Sequence, residues 1–186
     1  MHVISFYTNE KYRREAEGMK ASAEAVGLSC SITEKPDLGA WWMNANHKSS
    51  FILECVEKYG DEPLLYQDAD TRFLKYPKLL DGLDADFAAF FNSPVVPIGA
   101  TLWFNGKTRA KKYAEAWSKV VAANPSREDD TINFKEALEL IKQPRIRHLP
   151  PTYCWHEKTM RNAYPGVTDP IIIHGNIGIH NYPITR

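Results

Sequence analysis

Two carboxylates one residue apart, Asp68 and Asp70, close the stretch Pro63-Leu64-Leu65-Tyr66-Gln67-Asp68-Ala69-Asp70. The apolar residues ahead of them read as a buried strand. In an extended chain, residues i and i+2 project to one side, roughly 6.6 Å apart at ~3.3 Å rise per residue. Carboxylates so placed can share one hard cation, directly or through water. The carboxyl end of a strand in an open α/β sheet is also where ligands bind. A second Asp-x-Asp, Asp84-Ala85-Asp86, precedes its strand and follows Gly82, so it reads as a solvated turn. His174 ends the run Ile171-Ile172-Ile173 ahead of Gly175. At this level it is open between a structural histidine and a metal ligand. Oxygen ligands suit Mg²⁺ or Mn²⁺, and an added imidazole favours Mn²⁺. His2, His47, His148, His156 and His180 have no such placement and read as structural.

Other residues carry weaker signals. Glu128, Asp129 and Asp130 follow Pro125-Ser126 at the start of a helical stretch. Acidic residues there cap the first turn and offset the helix dipole. Lys48 sits on an amphipathic stretch, where a solvated face is its ordinary use, although it could reach a phosphate. Trp41-Trp42 reads as a loop before that stretch, and Trp155 lies in a Pro-rich loop. Sugar faces stack on such aromatics, but core packing is their commoner use. Arg72 follows the aspartates and is expected to pair with them. Lys107, Arg109, Lys111 and Lys112 read as the exposed side of a helix.

The elements that must position these residues alternate along the chain. Strand patterns cover residues 2–8, 28–33, 63–66, 86–91, 100–104, 145–149 and 171–174. Helical patterns cover 11–26, stopped by Gly27, then 46–58, 108–123 and 127–141. The βαβαβ opening implies a single α/β domain with an open, mostly parallel central sheet flanked by helices. Residues 148–170 are Pro-rich and read as a loop region over the sheet.

Composition sets the frame. A chain of 186 residues fits one domain and can bury about 70% of its unfolded surface. Lys plus Arg and Asp plus Glu are 23 each, for zero formal net charge. That argues against a general nucleic-acid or membrane-surface binder. At 12% aromatic residues, disorder is not expected. The three cysteines, Cys30, Cys55 and Cys154, form no CxxC pair and suggest neither zinc nor disulfides. The first apolar run is too short for a signal sequence or a membrane span, so a cytoplasmic location is expected.

Taken in order, the motifs resemble those of GT-A nucleotide-sugar glycosyltransferases, particularly the glycogenin-like and related small families. Phe6-Tyr7-Thr8 ends the first strand and Tyr12 follows, where that family places nucleobase contacts. Lys48, Phe51 and Ile52 lie on a helix before DADTRFLKYP, which is similar to the family's DxD metal-binding region. GATLWFNG resembles the small-residue strand lining the sugar pocket, and REDDTINFKEAL the acidic helix start beyond it. IRHLPPTYCW and IIIHGNIG resemble the last core strands, where the family often supplies a third metal ligand from a histidine.

The resemblance implies one compact GT-A (Rossmann-like) domain over residues 1–186. Residues 1–75 would form the nucleotide-binding half and 76–186 the sugar and acceptor half. The chain is shorter than most members, so acceptor-binding additions are expected to be missing. The implied activity is metal-dependent transfer of a hexose, glucose or galactose, from a UDP-sugar to an unspecified acceptor. Asp68, Asp70 and His174 would hold Mn²⁺ or Mg²⁺, which neutralises the departing diphosphate. Thr8, Tyr12, Lys48 and Asp68 would bind the UDP-sugar. Asp129, with Asp130 next, would be the general base of an inverting reaction, which the dense acidic cluster favours over a retaining one in which an acidic residue there binds sugar hydroxyls. Two alternatives compete. Haloacid-dehalogenase-type phosphatases also place Asp-x-Asp at a strand end, but after their first strand and with a Thr where Arg72 stands here. A non-catalytic sugar-nucleotide-binding module would keep the binding residues alone.

Overall fold

The computed structural model describes residues 1–127 and 129–175. In chain order the elements are β1 (His2–Tyr7), α1 (Glu10–Ala25), β2 (Ser29–Glu34), α2 (Trp41–Tyr59), β3 (Leu64–Gln67) and β4 (Thr71–Phe73). There follow β5 (Phe87–Ser93), β6 (Val96–Phe104), α3 (Gly106–Ala123), α4 (Asp130–Glu139), β7 (Ile146–His148), α5 (Glu157–Met160) and β8 (Ile172–His174). Short 3-10 turns fall at Lys78–Leu80 and Pro151–Tyr153.

Six strands form the central sheet in the order β2-β1-β3-β6-β5-β7. β1 pairs in parallel with β2 and β3, and β5 with β7. Only β6 runs against its neighbours, because a tight hairpin joins it to β5. The expected mostly parallel sheet with flanking helices is therefore present.

The two-residue period of the strands divides the core. Ile4, Tyr66, Leu102, Phe104, Phe87 and Ala89 face α2, α3 and α4, where Phe51, Trp117 and Phe134 complete one apolar layer. Their chain neighbours Val3, Leu65, Trp103 and Ala88 face the other way, against Met19 and Ala23 of α1 and against Phe73 and Ile172. Those last two belong to β4 and β8, which pair antiparallel as a separate two-stranded ledge.

Several boundaries differ from expectation. α2 begins at Trp41 and so includes the Trp41-Trp42 pair that reads as loop in the sequence. α4 begins at Asp130 instead of residue 127, with Asp129 as its cap. β4 has no counterpart in the sequence reading, because three residues are too few to show a period. Residues 148–170 carry a 3-10 turn and α5 as well as loop.

Candidate active site

β3 delivers Asp68 to the carboxyl edge of the sheet. The strand stops at Gln67, and the Asp68 amide still donates to Ala100 O of β6 at 2.9 Å. The chain then turns back: Thr71 N and Oγ1 both reach Asp68 O, at 3.1 and 2.9 Å. The Asp-x-Asp is thus a turn and not the extended pair the alternation implies. The reversal starts β4, whose Thr71 stands opposite His174 of β8. That register puts an imidazole beside two carboxylates from a segment a hundred residues earlier.

One ligand atom from each of Asp68, Asp70 and His174 lies within 4.8 Å of the others. His174 Nε2 is 3.4 Å from Asp70 Oδ1 and 3.8 Å from Asp68 Oδ2. Burial pulls the His174 imidazole towards its neutral form, but the Asp70 contact and the charges of Asp68 and Asp70 outweigh it and raise its pKa. Burial likewise pushes the Asp70 carboxyl up, and the His174 contact overrides it and lowers its pKa. A set of two carboxylates and one imidazole, all partly exposed, fits a small divalent cation with open positions for a ligand.

Lys48 is buried, contrary to the solvated role expected of it. Its Nζ lies 3.1 Å from Asp68 Oδ1 and 2.8 Å from Asp130 Oδ2. Burial disfavours the ammonium, yet Asp130 and Asp68 hold its pKa above the ordinary lysine value. Asp68 also accepts a 2.7 Å hydrogen bond from the Tyr66 hydroxyl, two residues earlier on the same face of β3. Gly99 of β6 passes directly beneath this group. A Cβ there would sit 3.3 Å from both Asp130 Oδ2 and Lys48 Nζ, so the bare backbone leaves the charge pair its space.

Asp130 therefore reaches the cluster through Lys48, from the start of α4. Asp129 is exposed, and its Oδ1 accepts the Thr131 amide at 2.9 Å as the cap of α4. Among the described residues nothing joins Asp129 to the cluster. Glu128 and His180 lie outside the described residues. Arg72 does not pair with the aspartates. Its guanidinium binds Glu15 Oε2 at 2.7 Å and the carbonyl oxygens of Glu15, Ala69 and Thr71.

The cluster lines an open cleft of about 290 Å³. Charged Lys48, Asp68, Asp70 and His174 share its wall with Thr8 and with the aromatic Phe6, Tyr7, Tyr12, Trp41 and Tyr66. Six residues named from the sequence, Thr8, Tyr12, Lys48, Asp68, Asp70 and His174, thus share one cavity. Tyr66 was not foreseen, since a Tyr in an apolar strand carries no signal beyond packing. Trp41 was weighed as a stacking residue and assigned to packing. Its signal is the series Trp41, Asn44, Ala45, Lys48, which is helical spacing once the helix is known to start at 41.

Away from the cleft, charges are spent on one another. Lys107 and Lys111 pair with Glu57, Arg109 with Asp84, and Lys112 with Asp86. The second Asp-x-Asp is half solvated: Asp84 is exposed, whereas Asp86 is buried beneath Lys112. Trp155 is buried, with its indole N–H donating to Glu157 at 2.7 Å.

Solved structures share this fold. A glycosyltransferase involved in the glycosylation of the major capsid of PBCV-1 superposes with a TM-score of 0.65 at 17% identity, over 94% of this chain and 92% of that one. The glycosyltransferase GlyE of Streptococcus pneumoniae TIGR4 gives 0.65 at 14% identity, and its apo form 0.64 at 14%. The chain has a GT-A-like glycosyltransferase fold. It spans about half the length of the GlyE chains, 55% and 54%, and nearly all of the PBCV-1 one. No protein-family profile and no curated protein matches the sequence. In the GT-A-like frame the Asp68 turn lies at the carboxyl edge of the parallel strands, where open α/β sheets bind their ligands. Asp68 follows the third strand and is held by Lys48 and Tyr66, which is not the free first-strand nucleophile a dehalogenase-type phosphatase needs.

Proposed function

We propose that this protein is a metal-dependent glycosyltransferase that moves a hexose, glucose or galactose, from a UDP-sugar to an acceptor hydroxyl. The observation that carries the reading is the meeting of Asp68, Asp70 and His174 within 4.8 Å in a cleft that Lys48 and several aromatic side chains also line. Such a lining suits a ligand that carries both a flat ring and phosphates. The GT-A-like fold supports the same conclusion.

In this reading Asp68, Asp70 and His174 hold Mn²⁺ or Mg²⁺, which when bound neutralises charge on the departing diphosphate. Lys48 adds a fixed ammonium beside Asp68, and its ion pair with Asp130 keeps it charged and in place. Thr8 and Tyr12 flank the uridine. Asp130, buried against Gly99, holds Lys48 in place from the start of α4. Asp129, the exposed cap of that helix, stands outside the residues that line the cleft and would serve as general base of an inverting transfer for an acceptor that reaches it.

A panel of nucleotide sugars, scored by hydrolysis with and without Mn²⁺, tests the proposal. UDP-hexose turnover should appear only with the metal. Asp70→Ala should lower it by about a thousandfold or more, since the metal supplies several kcal/mol of transition-state stabilisation. An Asp70→Ala protein of full activity would end the proposal. Tight metal-dependent UDP binding without turnover of any sugar would point instead to a binding module.

A further inference from the structure

Tyr66 touches the carboxylate cluster from inside the sheet. Its side chain is buried, at 1% exposure. It stands opposite Ile4 of β1 and Leu102 of β6, and the rings of Phe6 and Phe51 each lie 6.2 Å from its own. A ring so enclosed is held in one place by packing. Its hydroxyl ends 2.7 Å from Asp68 Oδ1. The Asp68 backbone is fixed as well: Ala100 O holds its amide, and Thr71 N and Oγ1 hold its carbonyl oxygen. Both ends of this hydrogen bond are therefore set by the fold, ahead of any ligand.

The two oxygens of Asp68 are unlike in consequence. A carboxylate has about four lone-pair sites over its two oxygens, so about two at each. Oδ1 faces two donors, the Tyr66 hydroxyl at 2.7 Å and the Lys48 ammonium at 3.1 Å. Oδ2 lies 3.8 Å from His174 Nε2, and Asp70 Oδ1 lies 3.4 Å from the same nitrogen. Oδ2 is thus the Asp68 oxygen on the side of the other two proposed ligands. Lys48 alone would not divide the pair, because its Nζ is 3.1 Å from Oδ1 and 3.3 Å from Oδ2. The Tyr66 hydroxyl donates to Oδ1, and this bond is what tells the two oxygens apart.

Cations differ in the use they make of a carboxylate. Ca²⁺ gathers about six to eight oxygens in a flexible shell and readily takes both oxygens of one group. Mg²⁺ and Mn²⁺ prefer octahedral shells, which need fewer protein oxygens. A carboxylate with one oxygen already engaged serves the second kind better than the first.

We propose that Tyr66 is a positioning residue that sets the choice of cation: by engaging Asp68 Oδ1 it leaves that carboxylate one ligating oxygen, which suits Mn²⁺ or Mg²⁺ and disfavours Ca²⁺. This rests on the reading of Asp68, Asp70 and His174 as a metal centre.

The test is calorimetric titration of the metal-free full chain with Mn²⁺ and with Ca²⁺, at one pH and ionic strength, for the native protein, Tyr66→Phe and Tyr59→Phe. Tyr66→Phe keeps the packed ring and removes the hydroxyl. Tyr59→Phe makes the same deletion at a hydroxyl that donates to Ser31 Oγ at 2.9 Å, on α2 and outside the residues that line the cleft. The native protein should bind Mn²⁺ about a hundredfold or more tightly than Ca²⁺. Tyr66→Phe should lose about tenfold or more in Mn²⁺ affinity, as happens when the hydrogen-bond partner of a ligand is removed. Its Ca²⁺ affinity should fall by less than about threefold, because the freed oxygen can join the larger shell, so the ratio narrows. Tyr59→Phe should keep both native affinities. A general loosening of the fold would weaken the two ions together, so equal losses in Tyr66→Phe would overturn the inference, as would no loss at all. The same narrowed ratio in Tyr59→Phe would also overturn it. So would a native protein that binds Ca²⁺ as tightly as Mn²⁺, a result that needs no variant. If the native protein binds neither ion, the metal centre and the glycosyltransferase reading fall first, and the inference with them.

Discussion

At the scale of single residues, His174 decides how the site responds to pH. Its pKa is raised because Asp70 and Asp68 outweigh the effect of burial. A metal requires the neutral imidazole, so protons compete with it below that raised pKa. Mn²⁺ affinity should therefore be constant at high pH. It should fall by about tenfold per pH unit once the pH drops through the folded value, which lies above the ordinary ~6.5. Metal-free stability has the opposite sign. A group whose folded pKa is raised contributes stability in full below its unfolded value and loses it as the pH rises through the folded one. Without metal, the unfolding temperature should thus decline from below about pH 6.5 upwards, and His174→Gln should flatten that decline. With saturating Mn²⁺ the slope over the same window should reverse. Calorimetric titration and thermal unfolding between pH 5.5 and 8.5, with both proteins, read the two signs separately. A metal affinity indifferent to pH in that range would remove His174 from the ligand set.

At the scale of elements, the site depends on a ledge and not on the main sheet alone. β4 is only three residues long and cannot hold itself in place. Arg72, at its centre, ties it to α1 through Glu15 and closes back on Ala69 O and Thr71 O of the aspartate turn. Gly18 of α1 permits this: a Cβ there would lie 2.5 Å from the Arg72 guanidinium. Arg72→Met should cost about 2–3 kcal/mol, as expected for losing charge-assisted hydrogen bonds at a part-buried site. It should also weaken Mn²⁺ binding several-fold, although Arg72 touches no proposed ligand. Urea unfolding and metal titration of the variant check both, and unchanged metal affinity would make Arg72 a purely structural tie. The ledge also marks where the sequence stops being legible. β1, α1, β2 and β3 carry clear periods, with Gly27 after α1, Pro36 after β2 and Asp68 after β3 as stops, so the order of elements leading to Asp68 can be read directly. Which segment pairs with which cannot be read from a three-residue strand. The pairing of Thr71 with His174 is tertiary and was not expected; the resemblance to a known family implied only that His174 joins the two aspartates at a metal. The burial of Lys48 is illegible for a related reason: an amphipathic pattern shows which face is apolar but not that a lysine within it meets two carboxylates. Trp41 was misjudged by a boundary, since a helix thought to begin at 46 has no stripe reaching back to 41.

At the scale of the whole molecule, zero net charge hides an uneven distribution. The basic face of α3 is neutralised by Glu57, Asp84 and Asp86. At the cleft three carboxylates, Asp68, Asp70 and Asp130, meet one ammonium, Lys48, with His174 beside them. This cluster sits where β3, α2, α4 and the β4–β8 ledge converge, so a divalent cation held there would tie all of these elements together. Binding to the folded state alone stabilises by RT ln(1 + [L]/Kd), about 2.7 kcal/mol at a hundred times the Kd. For a chain of this length each kcal/mol raises the unfolding temperature by about 2–4 °C. Mn²⁺ at that excess should therefore raise it by about 5–11 °C, with a further rise when UDP is added. An equal ionic strength of NaCl should not reproduce the shift, because screening acts weakly on partly buried charges. Asp70→Ala should remove most of the metal response while unfolding in one transition as before. Differential scanning calorimetry of the two proteins with Mn²⁺, with Mn²⁺ and UDP, and with salt alone decides it. A shift that persists in Asp70→Ala would place the cation elsewhere on the surface. Stabilisation by UDP without metal would mean that Lys48 and the aromatic wall hold the nucleotide unaided.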